Sequence, residues 1–232
     1  VNGLLILDKS AGMTSNGALQ RAKRLFSAAK AGHTGALDPL ATGVLPLCFG
    51  EATKFSQFLL DADKGYLSTI VLGIATDTAD ADGQVVARKA ATAVDADAVR
   101  HAMATLTGAI EQVPPMYSAL KVDGQPLYKR ARAGEEVERS ARPVRIHHFD
   151  LLDYVPGESA EISAAVLCSK GTYIRALAED LGTALNLPAH VKTLRRTQAG
   201  PFGLTNAVTL AQLEAAVDTG SEDSLDALLL PV

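Results

Sequence analysis

The stretch GHTGALDPLATGVLPLCFG, residues Gly32–Gly50, decides how the rest of the sequence is interpreted. It contains four glycines, two prolines and a single acidic residue, Asp38. Glycine permits positive φ and proline fixes φ at about −65°, so a loop rich in both has a defined backbone shape. Pro39 favours an extended conformation at Asp38, and the apolar run Val44–Phe49 predicts a buried strand or helix. The stretch therefore predicts an aspartate displayed on a rigid turn.

An aspartate before proline is, by itself, a common residue of ordinary turns. The complete stretch has many more defined positions than such a turn requires. It resembles the signature of the bacterial tRNA pseudouridine synthase B family, G-H-x-G-x-L-D-x-x-A-x-G-x-L. The matching residues here are Gly32, His33, Gly35, Leu37, Asp38, Ala41, Gly43 and Leu45. In that family the aspartate is the catalytic residue that isomerises uridine 55 in the T-loop of tRNA.

Four further stretches resemble the same family, so the resemblance spans essentially the whole chain. They are LLILDK at Leu4–Lys9, DKGY at Asp63–Tyr66, PPMYSALK at Pro114–Lys121 and KGTYIR at Lys170–Arg175. The resemblance implies the pseudouridine synthase fold, an α+β core whose mixed, largely antiparallel sheet has flanking helices and a thumb-like insertion at about residues 114–142. Strands and helices interspersed without regular βαβ alternation also predict a mixed sheet.

The resemblance implies four catalytic residues. Forming pseudouridine breaks the N1–C1′ bond, turns the uracil and rejoins it through C5, and an ionised carboxylate can serve as nucleophile or base without a metal or cofactor. Asp38 corresponds to that carboxylate, although the sequence does not decide between the two roles. Arg175 corresponds to the arginine that pairs with it, and Asp80 to a second acid of the same network. Tyr66 corresponds to the residue that stacks on the target uracil.

Four other residues are implied to bind the substrate. A uridine inside a T-loop must leave its stack before C1′ can be reached. His33 corresponds to the residue that fills the vacated space, although a loop histidine alone is more often a structural hydrogen-bonding residue. Tyr173 is expected to line the pocket beneath the base and Leu194 to close its apolar wall. Lys9 is expected near the catalytic loop, where packing is as good an explanation as catalysis.

The net charge of −4 is unfavourable for an RNA partner, but the basic residues are segregated. Five lie between Lys9 and Leu37 without an acid, and five more lie in Lys170–Arg196. The insertion at 114–142 adds lysines and arginines with Tyr117 and Tyr128 between them, a composition suited to phosphate contact and base stacking. A plain surface insertion would look similar. We expect the partner to be the T-arm stem-loop of tRNA.

Length and composition bound the remaining possibilities. The 232 residues are 47% hydrophobic and 21% charged, which suits one large globular domain, or one domain plus a small subdomain. With the family resemblance, we expect a single catalytic domain spanning residues 1–232. The small C-terminal RNA-binding domain usual in the family is expected to be absent. No apolar run approaches the roughly 18 residues of a membrane helix and no signal peptide is recognised, so we expect a cytoplasmic protein. Cys48 and Cys168 are expected to be buried free thiols.

Several elements are predicted from periodicity. Residues 14–29 are predicted to form a helix that begins at Thr14, Ser15 or Asn16. Glu51–Leu60 is predicted to form a helix that buries Phe55, Phe58 and Leu59. The acid-rich segment Thr76–Gly83 fails the spacing of a calcium loop and is predicted to be a structured turn.

Other functions remain open from the sequence. A pure RNA-binding module would need the basic surface without the acidic and arginine residues named above. An N-glycosidic hydrolase acting on RNA would need two carboxylates flanking the scissile bond and would release the free base. A protein-interaction role for the thumb has no positive support in the sequence. We expect a monomer with no protein partner and no contact with a membrane.

Overall fold

The computed structural model describes residues 1–118, 120–122, 124–218 and 225–231. The strands are β1 Gly3–Lys9, β2 Ala31–His33, β3 Thr42–Phe49, β4 Lys64–Leu72, β5 Ile74–Thr76, β6 Val85–Arg88, β7 Gly108–Gln112, β8 Lys121–Val122, β9 Gln125–Pro126, β10 Arg142–Val155, β11 Glu161–Cys168, β12 Ala189–Ala199 and β13 Phe202–Gly203. The α-helices are α1 Ser15–Leu25, α2 Ser56–Asp61, α3 Ala96–Thr105, α4 Leu127–Arg132, α5 Ile174–Ala184 and α6 Leu210–Asp218, with 3₁₀ segments at Gly50–Phe55 and Leu204–Asn206.

The chain packs as two compact units. The first consists of Val1–Tyr66 and Arg195–Val232, and the second of Leu67–Leu194. In the first unit β1 and β2 pair antiparallel with β3, β12 pairs with β3 in parallel, and β13 pairs with β12. Helix α1 packs on β2 and on α6. The apolar run Val44–Phe49 forms most of β3 and is buried throughout, as the sequence predicts.

The second unit contains the longer antiparallel strands. Here the strand order is β12-β4-β11-β10-β7, and β10 pairs antiparallel with both β11 and β7. Helix α3 packs on β10 and on α5. Alternate residues of β11, from Ile162 to Cys168, are buried, which confirms the predicted inward face. The α+β fold with a mixed, largely antiparallel sheet and flanking helices is therefore confirmed.

Helix α1 shows why a helix begins and ends where it does. Thr14 caps it, since its hydroxyl accepts a hydrogen bond from the Gly17 N–H at 3.0 Å. The helix ends at Leu25 rather than continuing to Ala29, because Ser27 adopts a left-handed φ of 48° that a helix cannot continue through. The apolar face of α1 still forms, with Leu19 buried against the core.

The helix predicted at Glu51–Leu60 is the clearest error of the sequence interpretation. The segment divides into the 3₁₀ turn Gly50–Phe55 and the short helix α2. Phe55 and Phe58 are 51% and 76% exposed, so their predicted burial is wrong. A 3₁₀ turn has about three residues per turn, so a face drawn with the α-helical period does not continue through it.

One glycine of the first unit allows a close approach of two strands. A Cβ added to Gly43 would lie 2.1 Å from the carbonyl oxygen of Arg196, and the φ of Gly43 is +102°. Gly12 also has a positive φ, +82°, but a Cβ there would meet nothing within 4 Å. A comparison of alanine variants at the two positions therefore distinguishes the effect of a steric clash from that of backbone strain alone.

We predict that Gly43→Ala lowers the free energy of unfolding by at least about 3 kcal/mol, because β3 and β12 must move apart. The control Gly12→Ala should cost only about 1–2 kcal/mol, the strain of a left-handed alanine. Urea denaturation of both variants measures the difference. Equal losses would mean that the contact between Gly43 and Arg196 does not stabilise the first unit.

Candidate functional site

The loop that carries Asp38 joins β2 to β3 and is held by the beginning of α1. The Ser15 hydroxyl is buried, donates to the Leu37 carbonyl at 3.0 Å and accepts from the Leu37 N–H at 2.7 Å. The Gly12 N–H donates to the Pro39 carbonyl at 2.9 Å. The residues immediately before and after Asp38 are thus both fixed to neighbouring backbone or side chain. These bonds make the aspartate turn rigid, as its composition predicts.

Lys9 holds the same loop from the end of β1. Its side chain is buried, and its ammonium donates to the carbonyls of Ser10 and Met13 at 2.8 Å each and of Pro39 at 3.4 Å. Burial lowers the pKa of Lys9 to about 8, and the negative charge of Asp38 opposes that shift. Since three backbone carbonyls accept from its ammonium, the contacts of Lys9 favour a role in positioning the loop over direct substrate binding.

His33 lies in β2 opposite Leu47 of β3. Its Nδ1 atom is buried and makes no hydrogen bond to any residue that the structure describes. Burial lowers the pKa of the imidazole below its usual value, and the Arg196 charge lowers it further. The lowered pKa favours a neutral imidazole at His33 near pH 7.

The second unit brings Asp80 and Arg175 together. Both side chains are buried, and the Arg175 Nε lies 3.8 Å from Oδ2 of Asp80. Oδ1 of Asp80 accepts from the Thr78 hydroxyl at 2.6 Å and from the Asp82 N–H at 3.1 Å. Arg175 also donates from Nη1 to the Thr78 carbonyl at 3.0 Å. The acid-rich segment is thus a structured turn, as predicted, and Arg175 is bonded to it.

Arg175 also contacts the first residues of the thumb-like insertion. Its Nη2 donates to the Tyr117 carbonyl at 2.6 Å. Two residues before Arg175, Tyr173 is fixed by the buried Gln112, whose amide accepts from the Tyr173 N–H at 2.8 Å and donates to the Tyr173 carbonyl at 3.1 Å. Gln112 was not predicted as a site residue, because nothing in its sequence context distinguishes it from a surface glutamine. Its two bonds fix the backbone immediately before α5.

The eight candidate residues divide between the two units. Lys9, His33, Asp38 and Tyr66 belong to the first unit, and Asp80, Tyr173, Arg175 and Leu194 to the second. The charges of Lys9 and Asp38 interact, as the pKa of Lys9 shows, and Asp80 lies beside Arg175. Tyr66 and Leu194 are buried and Asp38 is half-buried. The pairing of Asp38 with Arg175 and the stacking of Tyr66 on the uracil stay predictions.

The basic strand β12 differs from its expected role as a phosphate-binding segment. Lys192 pairs with Glu161 at 2.5 Å, and Arg195 pairs with Asp8 at 2.8 Å. Arg196 is only 1% exposed and cannot contact phosphate. Consecutive strand residues point to opposite faces, so one of two adjacent arginines in a two-sided strand must point inwards. That alternation is the signal that could have identified Arg196 as buried.

Across residues 1–118, 120–122, 124–218 and 225–231, no group of three or more histidine, cysteine or acidic side chains could hold a metal ion. Within the same ranges, no helix is long and apolar enough to cross a membrane. Cys48 and Cys168 are both buried and form no disulfide, as predicted.

Two family models match the chain from residue 23 to residue 232. The TruB family pseudouridylate synthase (N terminal domain) matches residues 23–174, and the tRNA pseudouridylate synthase B C-terminal domain matches residues 175–232. The tRNA pseudouridine synthase B of Pseudomonas aeruginosa is 58% identical over 231 residues, covering 100% of this chain and 75% of the relative. That of Aromatoleum aromaticum is 62% identical over 215 residues, covering 93% of this chain and 68% of the relative.

A solved structure has the same fold. The crystal structure of a Cbf5-Nop10-Gar1 complex contains a chain that is 30% identical and superposes with a TM-score of 0.76, covering 99% of this chain. This chain spans 60% of the length of that solved chain. The first family model alone covers well over half of the sequence, and the curated relatives match it at more than half identity. The chain therefore belongs to the TruB family of pseudouridylate synthases.

Proposed function

We propose that the protein isomerises uridine to pseudouridine at position 55 in the T-loop of tRNA. The observation that carries this proposal is the loop between β2 and β3, where a half-buried Asp38 is held on both sides by bonds from Lys9 and Ser15. A carboxylate that attacks or deprotonates a reacting group must be ionised and precisely placed before the substrate arrives. Family membership and the names of the curated relatives support the same reaction.

In this proposal Asp38 is the nucleophile or base. The positive charge of Lys9 interacts with it and favours the ionised form. Arg175 is the arginine that pairs with Asp38, and Asp80 is the second acid of that network. Tyr66 stacks on the uracil, while Tyr173 and Leu194 form the wall beneath it. No step needs a metal ion or cofactor.

His33 enters the space that the flipped uridine leaves. A neutral imidazole suits that place, because a stacked position between bases is apolar and carries no partner for a buried charge. Burial of His33 and the lowered pKa of its imidazole support this role.

The thumb-like insertion is proposed to hold the T-arm. Lys121, Lys129 and Arg132 are exposed there, and the Arg132 guanidinium lies 5.6 Å from the ring centre of Tyr128. Cationic side chains next to an aromatic ring suit contact with phosphates and unstacked bases. The proposal implies a monomer that meets tRNA in the cytoplasm.

A glycosidic hydrolase is the second candidate, but the acids of the second unit do not favour it. Such an enzyme needs one carboxylic acid that protonates the leaving group and one carboxylate opposite it. Both carboxylate oxygens of Asp80 already have partners within its own unit, because one accepts two hydrogen bonds and the other faces Arg175.

The reaction itself can be tested with a T-arm stem-loop RNA that carries tritium at C5 of its uracils. We predict that one equivalent of tritium is released per RNA and that the uracil remains attached as pseudouridine, because C5 loses its hydrogen when it bonds to C1′. Release of free uracil would identify a hydrolase. Binding without tritium release would leave only an RNA-binding function and would contradict the proposal.

We predict that Arg175→Lys lowers the single-turnover rate at least about a hundredfold, while RNA affinity stays within about threefold. The guanidinium reaches two carbonyls and the Asp80 carboxylate in different directions, whereas an ammonium is one mobile point charge. Arg100→Lys is the matched control, since Arg100 is an exposed arginine of the same unit that pairs with the exposed Asp97. A rate equal to that of the control would show that Arg175 does not act in catalysis.

A further inference from the structure

Arg196 is a buried cation that the proposed chemistry does not use. It lies near the end of β12 and is only 1% exposed. Its Nε donates to the Val44 carbonyl at 2.7 Å, and its Nη2 donates to the Gly35 carbonyl at 3.0 Å. Its backbone also lies against Gly43, where a Cβ would not fit. All of these contacts are within the first unit.

The two carbonyls that Arg196 binds lie on either side of Asp38. Gly35 precedes Asp38 in the loop, and Val44 follows it in β3. One rigid guanidinium therefore spans the two ends of the segment that displays the aspartate. The planar fork fixes both directions at once, which a lysine ammonium on a flexible stem does not do.

Burying this charge is costly, so the contacts need a reason. A buried guanidinium loses its hydration, and hydrogen bonds to neutral carbonyls return only part of that free energy. An apolar side chain of similar volume would stabilise the first unit at least as well if packing were the whole requirement. A fixed geometry of the loop around Asp38 would account for the free-energy cost of burying Arg196.

The charge of Arg196 also affects the pKa values of two residues of the same unit, Lys9 and His33. It lowers the pKa of Lys9, on which the Asp38 carboxylate acts in the opposite direction. It lowers the pKa of His33 as well, after the larger effect of burial. Arg196 therefore belongs, by geometry and by charge, to the cluster that surrounds the catalytic loop.

We propose that Arg196 is a positioning residue, which holds the carbonyls of Gly35 and Val44 in place and so fixes where Asp38 stands. Its consequence for catalysis rests on the proposed function, while its effect on the loop does not. The adjacent Arg195 supplies a matched control, because it is half exposed and bonds to Asp8 and the Thr42 hydroxyl rather than to a loop carbonyl.

The first test measures the stability of the loop's hydrogen bonds in the absence of RNA. Amide hydrogen exchange is measured at Leu37 and Ala41, whose N–H groups bond to the Ser15 hydroxyl and the Asp38 carbonyl. Arg196→Lys should speed exchange at both amides at least about tenfold, with the amides of β11 unchanged. Arg195→Lys should leave all of these amides as they are. Unchanged loop exchange in Arg196→Lys would overturn the proposal.

The second test reads catalysis on the T-arm stem-loop. Arg196→Lys should lower the single-turnover rate at least about thirtyfold with the dissociation constant within about threefold, and Arg195→Lys should change neither by more than about threefold. Because lysine keeps the charge, the pKa of His33 measured by NMR should stay low in Arg196→Lys and rise in Arg196→Gln. Comparing the two variants distinguishes the effect of the planar guanidinium geometry from the effect of its charge.

Three further outcomes would contradict either the proposed function or the role of Arg196. A parent protein that forms no pseudouridine would contradict the proposed function, and the exchange measurement would still decide the role of Arg196. A normal rate in Arg196→Lys would show that the fork does not position Asp38. Failure of Arg196→Lys to fold would also contradict the proposal, since the contact would then support the whole unit rather than one loop.

Discussion

The need to bond the backbone of the loop around Asp38 is the constraint on which the first unit depends. The loop forms no helix or strand, so a regular ladder of hydrogen bonds cannot hold it. Besides a few backbone bonds, side chains from three other elements bond to it, namely Lys9 of β1, Ser15 of α1 and Arg196 of β12. The fold of that unit can be understood as the arrangement that brings these donors to one loop.

The second unit uses a related device. Arg175 is buried at the beginning of α5 and donates to two carbonyls, one in the turn that carries Asp80 and one at the base of the thumb-like insertion. In both units a cation is buried at some cost in free energy and gives its hydrogen bonds to irregular backbone. Such sites fix a loop more firmly than apolar packing would, which is what a catalytic group requires before its substrate arrives.

The sequence was informative where local chemistry decides the structure. The glycines and prolines around Asp38 predicted a rigid turn, and alternation predicted the buried face of β11. It was misleading where contacts between residues distant in sequence determine burial. A helical period could not reveal that Phe55 and Phe58 would be exposed. Basic residues counted along the chain likewise could not show that Arg196 is buried while Arg195 pairs with Asp8. The roles of the site residues were inferred from the family resemblance. Spacing along the sequence cannot show which residues far apart in the chain contribute to one site.

The most direct measurement is the single-turnover conversion of T-arm RNA by Asp38→Asn, with affinity measured on the same RNA. Asparagine has nearly the same shape, so the turn before Pro39 should persist, but its amide is neither a base nor a useful nucleophile. We expect pseudouridine formation to be abolished and affinity to stay within about threefold, because phosphate contacts and stacking supply most of the binding. Mass spectrometry must confirm that deamidation has not restored aspartate. Conversion within about tenfold of the parent would contradict the assignment of Asp38 as the catalytic residue.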